Sequence, residues 1–299
     1  MNDPSQPSPL REKPETAQQN QVRTKLPLSK WIAGFLSIEV VWAFLGGHVT
    51  TLLMGILPPF LLENSIVVEY LSAHINFLVL LLALLAFIRW VANMDPRTFI
   101  TDAPTFRWQV LFTISGIWIV GCALLTVVTV LIAPHSIRYQ TTPTSGARLG
   151  MLVYILLFTP MQCFVEELFF RTMLYRMLDG RFARKWMVSL ISGLLFMLAH
   201  LSNHEVTASI SGLAILIYYF LTGFLFMELN RVSHGSEASI GAHMGNNLYL
   251  AIMVNYTGSS LQTMPFFIQD KIPVIVDLVV LTICSLVSLR WLAAKASHQ

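Results

Sequence analysis

Apolar runs of about 20 residues alternate with short polar stretches along most of this chain. At 1.5 Å per residue such a run crosses about 30 Å of hydrocarbon, so each is read as a transmembrane helix. Eight spans are predicted, at 31–57, 67–88, 108–132, 149–178, 186–203, 206–229, 237–255 and 273–292. The fifth is short and runs almost into the sixth. Residues 1–30 have no such pattern. They are rich in Pro, Gln and Ser and read as a disordered cytoplasmic tail, and no apolar h-region follows their start as in a signal peptide. The expected architecture is an all-α polytopic membrane protein: the tail, then one transmembrane domain over 31–295 whose eight helices surround an intramembrane polar cavity.

Composition supports this reading. The chain is 55% hydrophobic and 12% charged, where a soluble domain carries about 25% charge. The predicted spans also divide the basic residues unequally. With the N-terminus inside, 16 of the 19 Lys and Arg fall on the inner side, and only Arg138, Arg148 and Lys271 fall outside. Arg11, Lys13, Arg23, Lys25 and Lys30 supply the tail's share. That asymmetry places both termini in the cytoplasm. Trp31, Trp90, Trp108, Trp186 and Trp291 stand at predicted span ends and read as interface anchors. Cys122, Cys163 and Cys284 lie in apolar runs without paired spacing, which suits buried thiols rather than a disulfide framework or a zinc cluster. No internal repeat is visible, so an inverted-repeat transporter gains no support.

Ionisable residues inside a bilayer are costly and mark function. Glu166 and Glu167 stand in the middle of the fourth run, in a Glu-Glu-x-x-x-Arg pattern that ends at Arg171. Glu167 and Arg171 are four apart and share a helix face, whereas Glu166 projects about 100° away and is left free. The fifth run carries Phe196-x-x-x-His200, and the seventh carries His243-x-x-x-Asn247. Measured from the inner basic residues, Glu166, His200 and His243 lie at depths of about 22, 22 and 18 Å. They therefore occupy one layer. A carboxylate in a low-dielectric cavity is a useful general base, an imidazole can share the proton of a bound water, and a second His and an Asn amide are donors for an oxyanion. Such a set can hydrolyse a peptide bond. Neither Gly-x-Ser-x-Gly nor His-Glu-x-x-His occurs. His200 and His204 have metal-ligand spacing, but His204 falls at the outer end of its span and reads as an interfacial residue. Glu39, His48, His74, Glu228 and Asp277 are further intramembrane polar residues without an assigned role.

These three motifs, in this order on successive spans, resemble the CAAX prenyl protease and bacteriocin-processing family of intramembrane proteases, also called CPBP or Abi. The resemblance covers about residues 149–255, the expected catalytic core. It implies that Glu166 and His200 activate water, that His243 and Asn247 stabilise the oxyanion, and that Glu167 and Arg171 orient the site. The family is often labelled metalloprotease. A divalent metal such as zinc, with Glu166, His200 and His243 as candidate ligands, therefore stays open beside a metal-free mechanism. The expected partners are the bilayer and a peptide or lipid-modified protein substrate; nucleic acid is not expected. A bacterial cytoplasmic membrane is the expected location. The alternatives are a non-catalytic immunity or interaction protein of the same fold and a proton-coupled transporter using Glu166 and His200 as a relay.

Overall fold

The computed structural model describes residues 26–57, 64–141, 145–208, 211–270 and 274–297. Most of the predicted tail, with Arg11, Lys13, Arg23 and Lys25, lies outside the described residues, as does Lys271.

Among the described residues, eight helical rods follow in the predicted order. They are α1 (Leu28–Ile56), α2 (Ser65–Ala86), α4 (Trp108–Ile132), α5 (Ser145–Glu167), α7 (Trp186–Ala199), α9 (Gly212–Ser233), α10 (Glu237–Ile252) and α11 (Val274–Ser297). Short helices α3 (Pro96–Ile100), α6 (Leu174–Leu178) and α8 (His204–Thr207) lie between them, and π-helical turns continue α2 over Phe87–Val91 and α5 over Leu168–Met173. Six of the rods are long and apolar enough to cross a membrane. The other two, α7 with 14 residues and α10 with 16, reach only about 21 and 24 Å. They are the two that carry His200 and His243.

Three predicted boundaries are corrected. The first rod begins at Leu28, so Leu28–Lys30 belong to a helix rather than the tail. The fifth ends at Ala199 instead of residue 203 because the chain turns at His200 and Leu201. The sixth starts at Gly212, after the separate turn of α8. Arg171, counted above among the inner loop charges, is a fully buried residue of the bundle; the asymmetry of the remaining charges survives its removal.

The two ends of the bundle differ. At one end, polar side chains knit loops to helix ends. Arg107 donates to Glu237 through both Nε (3.0 Å) and Nη2 (2.6 Å) and to the Ser233 carbonyl (2.7 Å). Arg176 reaches the Thr98 and Phe99 carbonyls and Asp102. At the other end, β1 (Ile137–Tyr139), β2 (Val254–Tyr256) and β3 (Phe267–Gln269) form a small sheet of order β1-β3-β2. β1 is antiparallel to β3, with Ile137 opposite Gln269, and β2 is parallel to it, with Val254 opposite Phe267.

Close helix crossings seat α7 and α10 against their neighbours. Gly241 and Gly245 of α10 lie against the backbone of Leu111 and Ser115 on α4, where a Cβ would collide with a carbonyl oxygen. Gly223 of α9 meets Gly193 and the Ser192 carbonyl of α7 in the same way. Small residues four apart let helices approach backbone to backbone, which is how membrane helices gain packing energy without a hydrophobic driving force.

Candidate active site

Helix α5 delivers the two glutamates at its last two positions, and the π-helical turn starts at the next residue. Such a turn widens the helix locally and often accompanies a functional site. Glu167 and Arg171 are both fully buried, with Arg171 Nη1 3.2 Å from Glu167 Oε1. The Arg171 guanidinium lies 4.0 Å from the Phe196 ring centroid and 5.6 Å from that of Phe226, so two aromatic faces add cation–π attraction. The pairing of Glu167 with Arg171 is as the spacing indicates. A second partner was not foreseen: His243 Nδ1 stands 2.8 Å from the same Glu167 oxygen. A carboxylate accepts, so this contact puts a proton on Nδ1 and directs Nε2 away from Glu167.

Glu166 has different surroundings. It accepts a hydrogen bond from Gln162 Nε2 at 3.0 Å, one helical turn earlier, and its carboxylate lines a cavity of about 520 Å³. His200, His243, Asn246 and Asn247 line the same cavity. His200 caps α7, and its Nδ1 lies 2.7 Å from the Phe196 carbonyl. That carbonyl can only accept, so the proton sits on Nδ1 and neutral His200 presents a lone pair at Nε2. The ring is held between Phe196, at a centroid distance of 4.3 Å, and Tyr219, stacked at 4.1 Å. Phe196 also meets His243 edge-on at 6.4 Å. The Phe of the Phe-x-x-x-His motif is thus the hub against which Arg171, His200 and His243 all rest.

Three participants are not apparent from the motifs. Gln162 holds Glu166. Asn246 donates to Asn247 Oδ1 at 3.1 Å, which leaves the Asn247 amide nitrogen as its main remaining group. Glu205 is buried beside the cavity, where Tyr219, Asn203 and Ser260 all donate to it. It anchors the tyrosine that stacks on His200. Gln162 could have been found by its i−4 spacing from Glu166. Glu205 sits in a short connection that carries no periodic signal.

The other polar residues separate clearly. His204 is exposed and bonds the Gly258 carbonyl at 3.0 Å; because α7 ends at Ala199, it shares no helix face with His200. His48 is exposed and bonds the Phe44 carbonyl. His74 is buried with Nδ1 on the Tyr70 carbonyl. Glu228 pairs with Arg231 and accepts from Ser189. Glu39 is packed on α1 with its Oε2 buried. Asp277 lines the cavity. The three cysteines are free and buried.

Among the described residues no group of three or more His, Cys, Asp or Glu side chains converges as a bound metal requires. Glu166, His200 and His243 line one cavity without forming such a cluster, and the steps proposed below use this chain's own residues.

Residues 148–249 match the family model described as Type II CAAX prenyl endopeptidase Rce1-like. The chain is also 26% identical over 200 residues to the uncharacterized protein YyaK of Bacillus subtilis (strain 168). That alignment spans 66% of this chain and 65% of the relative's length. No solved structure matches. The family match bears out the resemblance drawn from the three motifs, and its segment contains Glu166, Glu167, Arg171, His200, His243 and Asn247.

Proposed function

We propose that this protein is an intramembrane endopeptidase that hydrolyses a peptide or lipid-modified protein with water activated by Glu166 and His200. One observation carries the reading: Glu166, His200, His243 and Asn247, from two separate helices and the cap of a third, line one cavity inside an apolar bundle. A purely structural set of membrane polar residues would pair off with one another instead of facing shared space.

In the proposed reaction a water lies between the Glu166 carboxylate and His200 Nε2, both of which accept. As the water oxygen attacks the substrate carbonyl carbon, Glu166 takes its proton. The carbonyl oxygen gains the negative charge and is met by the Asn247 amide and by His243 Nε2, which donates when the ring is protonated. Collapse of the tetrahedral intermediate breaks the C–N bond, and the proton held by Glu166 passes to the departing nitrogen. The products are a carboxylic acid and an amine. Glu167 and Arg171 take no proton in this scheme; they fix His243 and the wall behind it.

The test is a comparison of peptide products. Membranes with the wild-type protein, with Glu166→Gln and without the protein are compared by mass spectrometry. The reading expects fragment pairs present with the wild type alone. Identical products in all three would favour a non-catalytic interaction protein of the same fold, and fragments that persist with Glu166→Gln would take the chemistry away from Glu166.

A further inference from the structure

We propose that Asp277 forms a subsite for a cationic side chain, Lys or Arg, of the peptide substrate. The inference rests on the peptidase reading above and adds a selectivity to it. The cavity continues from the Glu166 layer to a wall formed by Asp277 on α11, Tyr218 and Thr222 on α9, Tyr256 on β2 and Gln269 on β3. Its volume of about 520 Å³ falls in the range of about 300–1,000 Å³ usual for ligand pockets. Three carboxylates line it, those of Glu166, Glu205 and Asp277, and among the described residues no Lys or Arg does.

The three are not equivalent. Glu166 is held by Gln162. Glu205 accepts from Asn203, Tyr219 and Ser260. Asp277 makes no hydrogen bond or ion pair with any described residue, although it stands in the first turn of a membrane helix. A carboxylate in such a place is costly unless something pairs with it. The cavity offers a route for that partner to arrive with the substrate, and the absence of a basic wall residue leaves the ammonium or guanidinium of a bound peptide to supply the charge. The same wall has no cation to receive an acidic side chain.

The experiment uses full-length Glu166→Gln protein, which binds without turnover, in phosphatidylcholine nanodiscs, whose lipid carries no net charge. The probe is an N-acetylated, C-amidated octapeptide library with Lys, Arg, Glu or Leu at each position. Captured peptides are identified by mass spectrometry. Peptides with Lys or Arg at one position should be enriched at least about tenfold over Leu. Adding Asp277→Asn should abolish that enrichment, and Asp277→Lys should shift it toward Glu. Because Asp277 has no partner to lose, Asp277→Asn should also leave the thermal unfolding midpoint unlowered, whereas a structural role would lower it. No basic enrichment, or enrichment that survives Asp277→Asn, overturns the proposal. So does basic enrichment that appears only with Lys271→Met, since Asp277 would then be satisfied within the chain. The enzyme reading is separated by the wild-type protein on the same library: selective capture without cleavage would sink the peptidase and keep the subsite, while cleavage without basic preference would do the reverse.

Discussion

Around Phe196 two regions meet, each built on one glutamate and one histidine. Glu167, Arg171 and His243 close on one another, with two short contacts to a single carboxylate oxygen and aromatic rings over the guanidinium. Glu166, His200 and Asn247 instead face a shared cavity, each held from behind by a neighbour on its own side: Gln162, the Phe196 carbonyl and Asn246. The difference teaches that adjacent glutamates in one helix can have opposite tasks. A carboxylate that is fully buried and paired through one oxygen with an arginine and an imidazole is closed off from a water molecule in the cavity. One steadied by a single amide keeps its remaining lone pairs for chemistry.

The comparison can be broken most severely in the closed region. Glu167→Gln leaves Arg171 charged and buried without the carboxylate it contacts, and should cost about 3–5 kcal/mol of stability. Folded yield after detergent extraction and a thermal melt check this. Arg171→Met in the same chain should restore part of the loss, since it removes the stranded charge. A double variant no more stable than Glu167→Gln would mean that the ion pair is not what holds this region.

The next effect falls on the crossing that presents His243. Gly245→Ala sets a methyl group against the Ser115 carbonyl and should cost about 1–3 kcal/mol by overpacking. Gly116→Ala on the facing helix α4, whose Cβ would meet open space, is the control and should be close to neutral in the same melt. Equal effects at both positions would deny that α10 is seated by its glycines.

A smaller effect is expected on the open side. Gln162→Leu removes the hydrogen bond that Gln162 donates to Glu166 and should lower turnover about tenfold, equivalent to about 1.4 kcal/mol. A melt that falls further than the rate would reassign Gln162 to packing. Orientation is tested without mutating the site: reporter fusions after Arg138 should read as outside and after Lys185 as inside, as the distribution of basic residues implies.

Much of this was legible from residue order. Eight rods, their sequence and the convergence of Glu166, His200 and His243 follow from apolar runs and depth at a fixed rise per residue. The Glu167–Arg171 pair follows from helical spacing. The bond between Glu167 and His243 does not, because it joins residues 76 positions apart on helices whose relative rotation is set by packing. Gly241 and Gly245 carried the pertinent signal, a small-x-x-x-small spacing, but a spacing does not say which neighbour it will meet. Ala199 was missed as a helix end because the apolar character of the fifth run continues to Leu201, and hydropathy alone does not mark where a backbone turns. Glu205 was invisible for a related reason: it acts through a loop contact with Ser260.

The central claim is that Glu166 activates the water while Glu167 is committed elsewhere. The most direct measurement is single-turnover proteolysis by purified Glu166→Gln and Glu167→Gln proteins in liposomes, normalised to the folded fraction of each. The account predicts that Glu166→Gln folds like the wild type and loses about 100- to 10,000-fold in rate, while Glu167→Gln loses chiefly folded protein. Wild-type turnover by folded Glu166→Gln, with folded Glu167→Gln inert, would contradict it.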